Sequence, residues 1–512
     1  MRPLAAVLCV LFVVLAGCSA ADSVGGHGSP SETVAPAGPA ESGSSGSSTR
    51  DSGGSSAGGS GASTATPDAP ARNLADPPSD VLGWEGGYWY NESIPVTGEN
   101  GLNASEQPAL VNRTMARIER VRELEFNATV PVEVISREEF QGRPNVTGSG
   151  ARSAAFRTFD NAKFEGLFLI GEENNSLAVQ KSNRNQNVLG YYSPQNDSIV
   201  VVSGSETPKI SRSTLTHELV HALQDQQFNL SKGVPPTRDG YNARNGLVEG
   251  EANYVQRRYE GMCGGQWRCL DIGGSGGGGG GDDLHLGVYA LEYFPYADGP
   301  AFVESVYEEK GWQGVNALYE DVPESSEQVI HPRKYGNDTP TNLTIRDESS
   351  AGWERVRPDS RPDYATLGQS AMSAMFGYTI YDSYNQSPAI PPQAFLNTEG
   401  GSVNRTDPFN YALDYTDGWD GDRMVVYEKN NRSGYVWKLA WDSQDDAREF
   451  VRGYRELLTH WGGERVLGRQ GVWEIERASP FADAFRISRQ GDTVTIVNAP
   501  QPNDLDAVHA SG

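Results

Sequence analysis

Basic charge is in short supply in this 512-residue chain: 42 Lys and Arg face 67 Asp and Glu, leaving a formal net charge of −25. The basic residues are mostly Arg, and the acidic ones are spread along the chain rather than clustered. Such a balance argues against nucleic acid as a partner, because binding there rests on neutralising phosphates. It raises solubility at the expense of self-repulsion, as in proteins that work in concentrated salt, so a saline setting is expected. Cysteine is almost absent. Of four, Cys9 and Cys18 fall at the very start, leaving Cys263 and Cys269 in CGGQWRC. That excludes a cysteine-built zinc knuckle and a disulfide framework, and it leaves one local disulfide, Cys263 to Cys269. After residue 17 no apolar run is long enough to span a bilayer.

What is present begins with MRPLAAVLCVLFVVLAG, one early Arg and then an apolar run, which reads as a secretory leader. Its end, Leu15-Ala16-Gly17-Cys18, resembles a lipoprotein lipobox. Residues 1–18 are therefore expected to be a lipoprotein signal peptide. Cys18 would carry the lipid that anchors the chain to the outside of the cytoplasmic membrane. The alternative is a plain signal peptide cleaved near Ala20 or Ala21. Residues 19–80 collapse to Ser, Gly, Ala, Thr and Pro, too little apolar area to fold, and read as a stalk. Glycosylation sequons follow, among them Asn91, Asn112, Asn145, Asn229 and Asn342.

Order is expected from Val81. Residues 108–124 carry helical periodicity, TVPVEVISREEF from Thr129 reads as a strand, and Phe164–Ile170 as a buried strand or short helix. Residues 187–204 read as two strands around a Ser-Pro-Gln-Asn-Asp turn. This hairpin puts an edge strand ahead of the next helix, where an extended peptide could pair.

That helix is TLTHELVHALQDQQF, residues 214–228. His217 and His221 stand four apart, about 40° around a helix axis, so both imidazoles share a face and can bind one Zn²⁺. Glu218, one residue on, is placed to act on water at such a metal. With only seven His in the chain, this H-E-x-x-H pattern arises by chance on the order of once in a hundred such sequences. A catalytic zinc needs a third protein ligand. Gln224 and Gln227 occupy the positions where a metzincin would have Gly and His or Asp. After the loop SKGVPPTRDG, a second helix is expected from Asn245, with Val248, Ala252, Val255 and Tyr259 as its apolar stripe. Glu249 and Glu251 lie on it about 200° apart, so only one can face the metal. Spacing alone does not choose between them.

HELVHALQD followed by VEGEANY resembles the gluzincin metallopeptidases, the thermolysin-like and aminopeptidase-like zinc enzymes. The resemblance implies Glu249 as third ligand, with Gly250 allowing close helix packing. The loop between the motifs is longer than is usual there. Over its whole length, with the lipobox, the stalk and SSEQVIHPRKY, the chain resembles a family of haloarchaeal surface lipoproteins whose function is unestablished. In gluzincins a His or Tyr of the second half donates to the developing oxyanion, a role that the resemblance offers to His331 or Tyr335. His285 reads as structural.

From about residue 346 a smaller α+β unit is expected. It has a helix within residues 364–382, strands at GDRMVVYE and SGYVWKLAW, a helix capped by Ser443, and strands at GVWEIER, ADAFRISR and TVTIVNAP. His460 lies at a helix end, where a cation is favoured. The fold expected is α+β: a zincin-like catalytic domain over residues 81–345, with a mixed sheet, an edge hairpin, an active-site helix and a helical lower half. A C-terminal α+β domain of unknown role follows over 346–512. The function expected is a zinc metallopeptidase at the cell surface acting on a peptide or protein substrate. Its rival is a non-catalytic structural or binding lipoprotein on the same scaffold.

Overall fold

The computed structural model describes residues 75–96, 102–103, 105–143, 152–203, 210–270, 284–382, 384–385, 387–404 and 407–510. The leader, Cys18, the stalk through residue 74 and Asn145 lie outside the described residues. A short hairpin, β1 (Trp84–Glu85) and β2 (Tyr88–Trp89), precedes α1 (Glu106–Arg122). Then come β3 (Val132–Ser136), α2 (Arg137–Gly142), α3 (Ala154–Gly166), α4 (Ser176–Asn187), β4 (Gly190–Ser193) and β5 (Ser198–Ser203). A helical stretch follows: α5 (Arg212–Phe228), α6 (Arg238–Gly261), α7 (Leu286–Ala297), α8 (Gly299–Ala317) and α9 (Ser326–Ile330). Beyond it lie β6 (Glu354–Arg355), α10 (Gly368–Tyr378), α11 (Pro392–Phe395), β7 (Thr398–Glu399) and β8 (Ser402–Val403). The chain closes with β9 (Trp419–Lys429), β10 (Arg432–Trp441), α12 (Gln444–His460), β11 (Gly463–Arg465), β12 (Val472–Ile475), β13 (Ala484–Gln490), β14 (Thr493–Ala499) and α13 (Leu505–Val508).

The architecture is α+β. A three-stranded sheet runs in the order β3-β5-β4, with β3 parallel and β4 antiparallel to β5. A seven-stranded antiparallel sheet runs β11-β12-β13-β14-β10-β9-β6. Alternation along each strand decides what faces what. In β9, Met424 and Val426 enter the main core, while Val425 and Tyr427 join a smaller cluster under α13. In β5, Ile199 and Val201 face the main core, and Val200 and Val202 pack with Phe140 on the other side. The main core is continuous from α1, α5 and α6 through α7 and α10 to the large sheet. At one joint, the Phe168 ring lies 5.2 Å from Phe481 and 5.6 Å from Phe485.

Local chemistry moves several boundaries away from those expected. The strand from Thr129 stops at Ser136, because the Ser136 side chain accepts from the Glu139 amide and starts α2. Phe164–Ile170 is the end of α3 and the turns after it. The helix after α5 begins at Arg238, seven residues ahead of Asn245, because the Thr237 hydroxyl caps it. Ser443 caps α12, accepting from the Asp445 and Asp446 amides. Of the sequons described, Asn91, Asn229 and Asn342 are exposed, whereas the Asn112 amide donates to the Gly86 carbonyl.

Candidate metal centre

The site grows from α5. Ser211 caps it, and Leu215, Leu219, Ala222 and Leu223 fix its rotation by burying one side completely. The two imidazoles then share a face, with the Nε2 atoms of His217 and His221 3.0 Å apart. The third member comes from α6, which crosses the start of α8 with almost no space between the backbones. A Cβ on Gly250 would lie 2.4 Å from the Gly299 carbonyl carbon, and one on Gly299 would lie 2.4 Å from the Gly246 carbonyl oxygen. This crossing sets Glu249 against α5, with its Oε2 3.1 Å from His217 Nε2 and 3.2 Å from His221 Nε2.

These separations fit a tetrahedral zinc: bonds of about 2.0–2.1 Å hold neighbouring ligand atoms about 3.3 Å apart. Two imidazoles and a carboxylate are a donor set that zinc takes where a fourth position is left open. Burial alone would raise the Glu249 pKa, but His221 and His217 outweigh it and hold the carboxyl at about 2. It is ionised, as a ligand must be.

The choice that spacing left open has a geometric answer. Glu249 faces the imidazoles, whereas Glu251 points away and pairs with Arg122 of α1 and the Tyr319 hydroxyl. Glu251 nonetheless serves the site. Gln224 donates through its amide nitrogen to the Val248 carbonyl, 2.9 Å, and to Glu251, 3.1 Å. Its oxygen is thereby turned to His221 Nδ1 at 2.8 Å. An acceptor there keeps the His221 proton on Nδ1 and leaves Nε2 free for a metal. Arg122 also stacks over Trp312, 4.3 Å from the ring centre.

Glu218 is fully buried, and the polar group that approaches its carboxylate from β4 is the Tyr192 backbone amide. Burial pushes its pKa up to about 8, against the pull of His221. Beside it runs β4, the outer strand of its sheet: a Cβ on Gly190 would touch Thr214 at 2.9 Å and Glu218 at 3.5 Å.

The structure does not bring His331 or Tyr335 to this cluster. His331 sits at the end of α9, with Nε2 3.2 Å from the Gln369 amide nitrogen and 3.5 Å from Asp417. The Tyr335 hydroxyl donates to the Asp321 carbonyl at 2.5 Å. The expected oxyanion donor is thus placed elsewhere, because the turn after α9 directs both side chains toward the loops around Asp321 and Asp417. The aromatic group beside the cluster is Tyr296 of α7, its ring centre 6.3 Å from that of His217. Tyr293 and Tyr289 continue the stack at 5.9 and 5.7 Å. Their spacing, four and then three residues, was a visible helical stripe in the sequence. His285 caps α7, accepting from the Val288 amide, and His460 pairs with Asp382 at 2.8 Å. Just past α6, Cys263 and Cys269 form a disulfide, and Trp267 inside its loop packs on Tyr259 and under Arg117.

Residues 354–509 match a domain of unknown function, DUF8575. No curated protein and no solved structure matches the chain. The matched segment starts at β6 and ends just past α13. It takes in the whole seven-stranded sheet and none of the metal cluster. It does supply α10, whose Ser370 hydroxyl accepts from Asn242 of α6 at 2.9 Å, two turns before Glu249.

Proposed function

We propose that the chain is a zinc-dependent metallopeptidase of gluzincin-like, zincin-like organisation, with His217, His221 and Glu249 as ligands and Glu218 as general base. The observation that carries this reading is the convergence of the two imidazoles and the Glu249 carboxylate, their ligand atoms all within 4.8 Å of one another. Zinc held there would supply a Lewis acid for a peptide carbonyl and acidify a water. Glu218 takes the proton of the attacking water and returns it to the leaving nitrogen. Burial, which raises its proton affinity, suits that task. An extended peptide or protein substrate pairs along β4 beside Glu218. Export through the leader and a lipid on Cys18 would hold the enzyme on the outer face of the membrane.

The test is metal analysis of the purified protein together with cleavage of an unfolded protein substrate. One zinc per chain is expected, with cleavage that stops on chelation and returns with Zn²⁺; protein purified without zinc and unable to take it up would defeat the reading. A second reading draws on burial: His217, His221, Glu249 and Glu218 are each 2% exposed or less. That favours a structural metal in a non-catalytic surface lipoprotein, which expects zinc without turnover and lost stability when His217 is replaced.

A further inference from the structure

Glu165 closes α3, Glu172 follows in the next turn, and Asp483 immediately precedes β13. Nearly 320 residues separate the first from the last in sequence, yet all three present carboxylate oxygens within 4.8 Å of one another. The join is tight. The Glu172 amide donates to the Pro480 carbonyl at 3.1 Å, and Phe168 packs on Phe481 and Phe485. Among the described residues no Lys, Arg or His forms an ion pair with any of the three. A fourth group faces them from β14. Asn498 is 1% exposed and its side-chain amide meets Asp483 at 2.8 Å, while its carbonyl oxygen has no hydrogen-bond partner. A buried amide oxygen without a donor, set beside three carboxylates without a counter-charge, is an incomplete arrangement for a protein interior. Burial and mutual repulsion push Glu165 up to about 8 and Asp483 well above the usual carboxylate range. The cluster must therefore take up either protons or a cation.

We propose that Glu165, Glu172, Asp483 and the Asn498 side-chain oxygen form a calcium site that fastens the helical half of the molecule to the large sheet. The donors are all oxygen, three carboxylate and one amide, the set that calcium prefers and zinc does not. Glu172 is exposed, so solvent reaches the ion and completes its coordination with water. The Asn498 amide now turns its nitrogen to Asp483, so in the proposed site nitrogen and oxygen exchange places when the ion binds. The site is separate from the zinc cluster and does not depend on it.

The test is thermal unfolding of the full chain, with zinc present throughout, as CaCl₂ is added to calcium-free protein. The melting temperature should rise with calcium through a Kd near that of extracellular calcium modules, about 10⁻⁴–10⁻³ M. Terbium bound there should luminesce through Tyr435, which lies next to Glu165. Glu172→Gln, an exposed change that leaves the fold intact, should weaken the calcium response at least tenfold, and Asp483→Asn should abolish it. The proposal is overturned if millimolar calcium leaves the melting temperature unchanged, if magnesium acts equally, or if both variants respond like the wild type.

Discussion

Two three-residue clusters among the described residues, one wholly buried and one reaching the surface at Glu172, solve the same electrostatic problem in opposite ways. In the first, Glu249 lies between two imidazoles and is held at about 2. Its neighbours are themselves tied down, from His221 through Gln224 to Glu251 and Arg122. In the second, burial and the neighbouring Glu172 push Glu165 up to about 8, and among the described residues no Lys, Arg or His pairs with it. The first is a preorganised site whose support comes from the protein. The second is stable only with something added, a proton or an ion. Support from surrounding side chains, more than the number of donors, is what separates the two clusters.

The largest expected effect comes from cutting the support of the first cluster. Glu251→Gln strands Arg122 in the interior and should destabilise the protein by about 3–5 kcal/mol in urea unfolding, while zinc stoichiometry stays at one. Loss of zinc instead would move Glu251 into the ligand set. Gly250→Ala comes next. Its methyl meets backbone of α8, so α6 must shift, at about 1–3 kcal/mol, with weaker zinc binding but an unchanged calcium response. Gln224→Ala leaves His221 without its acceptor and should lower zinc affinity about 10–100-fold in a competition titration. The smallest effect separates the clusters by pH. A raised carboxyl pKa contributes stability that is fully present below the unfolded value and is lost as pH rises through the folded one. In calcium-free protein, Glu165 should therefore make stability fall between its ordinary 4.5 and about 8. Glu165→Gln should flatten that slope, and so should calcium.

The two clusters also differ in how far the sequence reveals them. His217, Glu218 and His221 are legible because helical periodicity alone puts them on one face. Glu249 was legible as one of two candidates. What chose it, the glycine crossing of α6 and α8 and the pull of Arg122 on Glu251, is tertiary and leaves no local pattern. Tyr296 was visible as part of a tyrosine stripe, but only the packing of α7 shows that the stripe ends at His217. The role offered to His331 failed because a turn, not a helix, sets its direction. Glu165, Glu172 and Asp483 carry no spacing signal at all, since the first and last meet only when α3 docks on the large sheet. The five longer strands of that sheet were readable from their apolar patterning, whereas β6 and β11, two and three residues long, are too short to carry a period. The start of α6 was not readable, because its Thr cap follows two prolines that resemble a loop.

The most direct measurement is peptide cleavage by zinc-loaded wild-type protein and Glu218→Gln at matched zinc content. Loss of general-base catalysis should slow hydrolysis about 10²–10⁴-fold while zinc stays bound. Equal rates in the two proteins, or no hydrolysis by fully zinc-loaded wild type, would contradict a peptidase built on this helix.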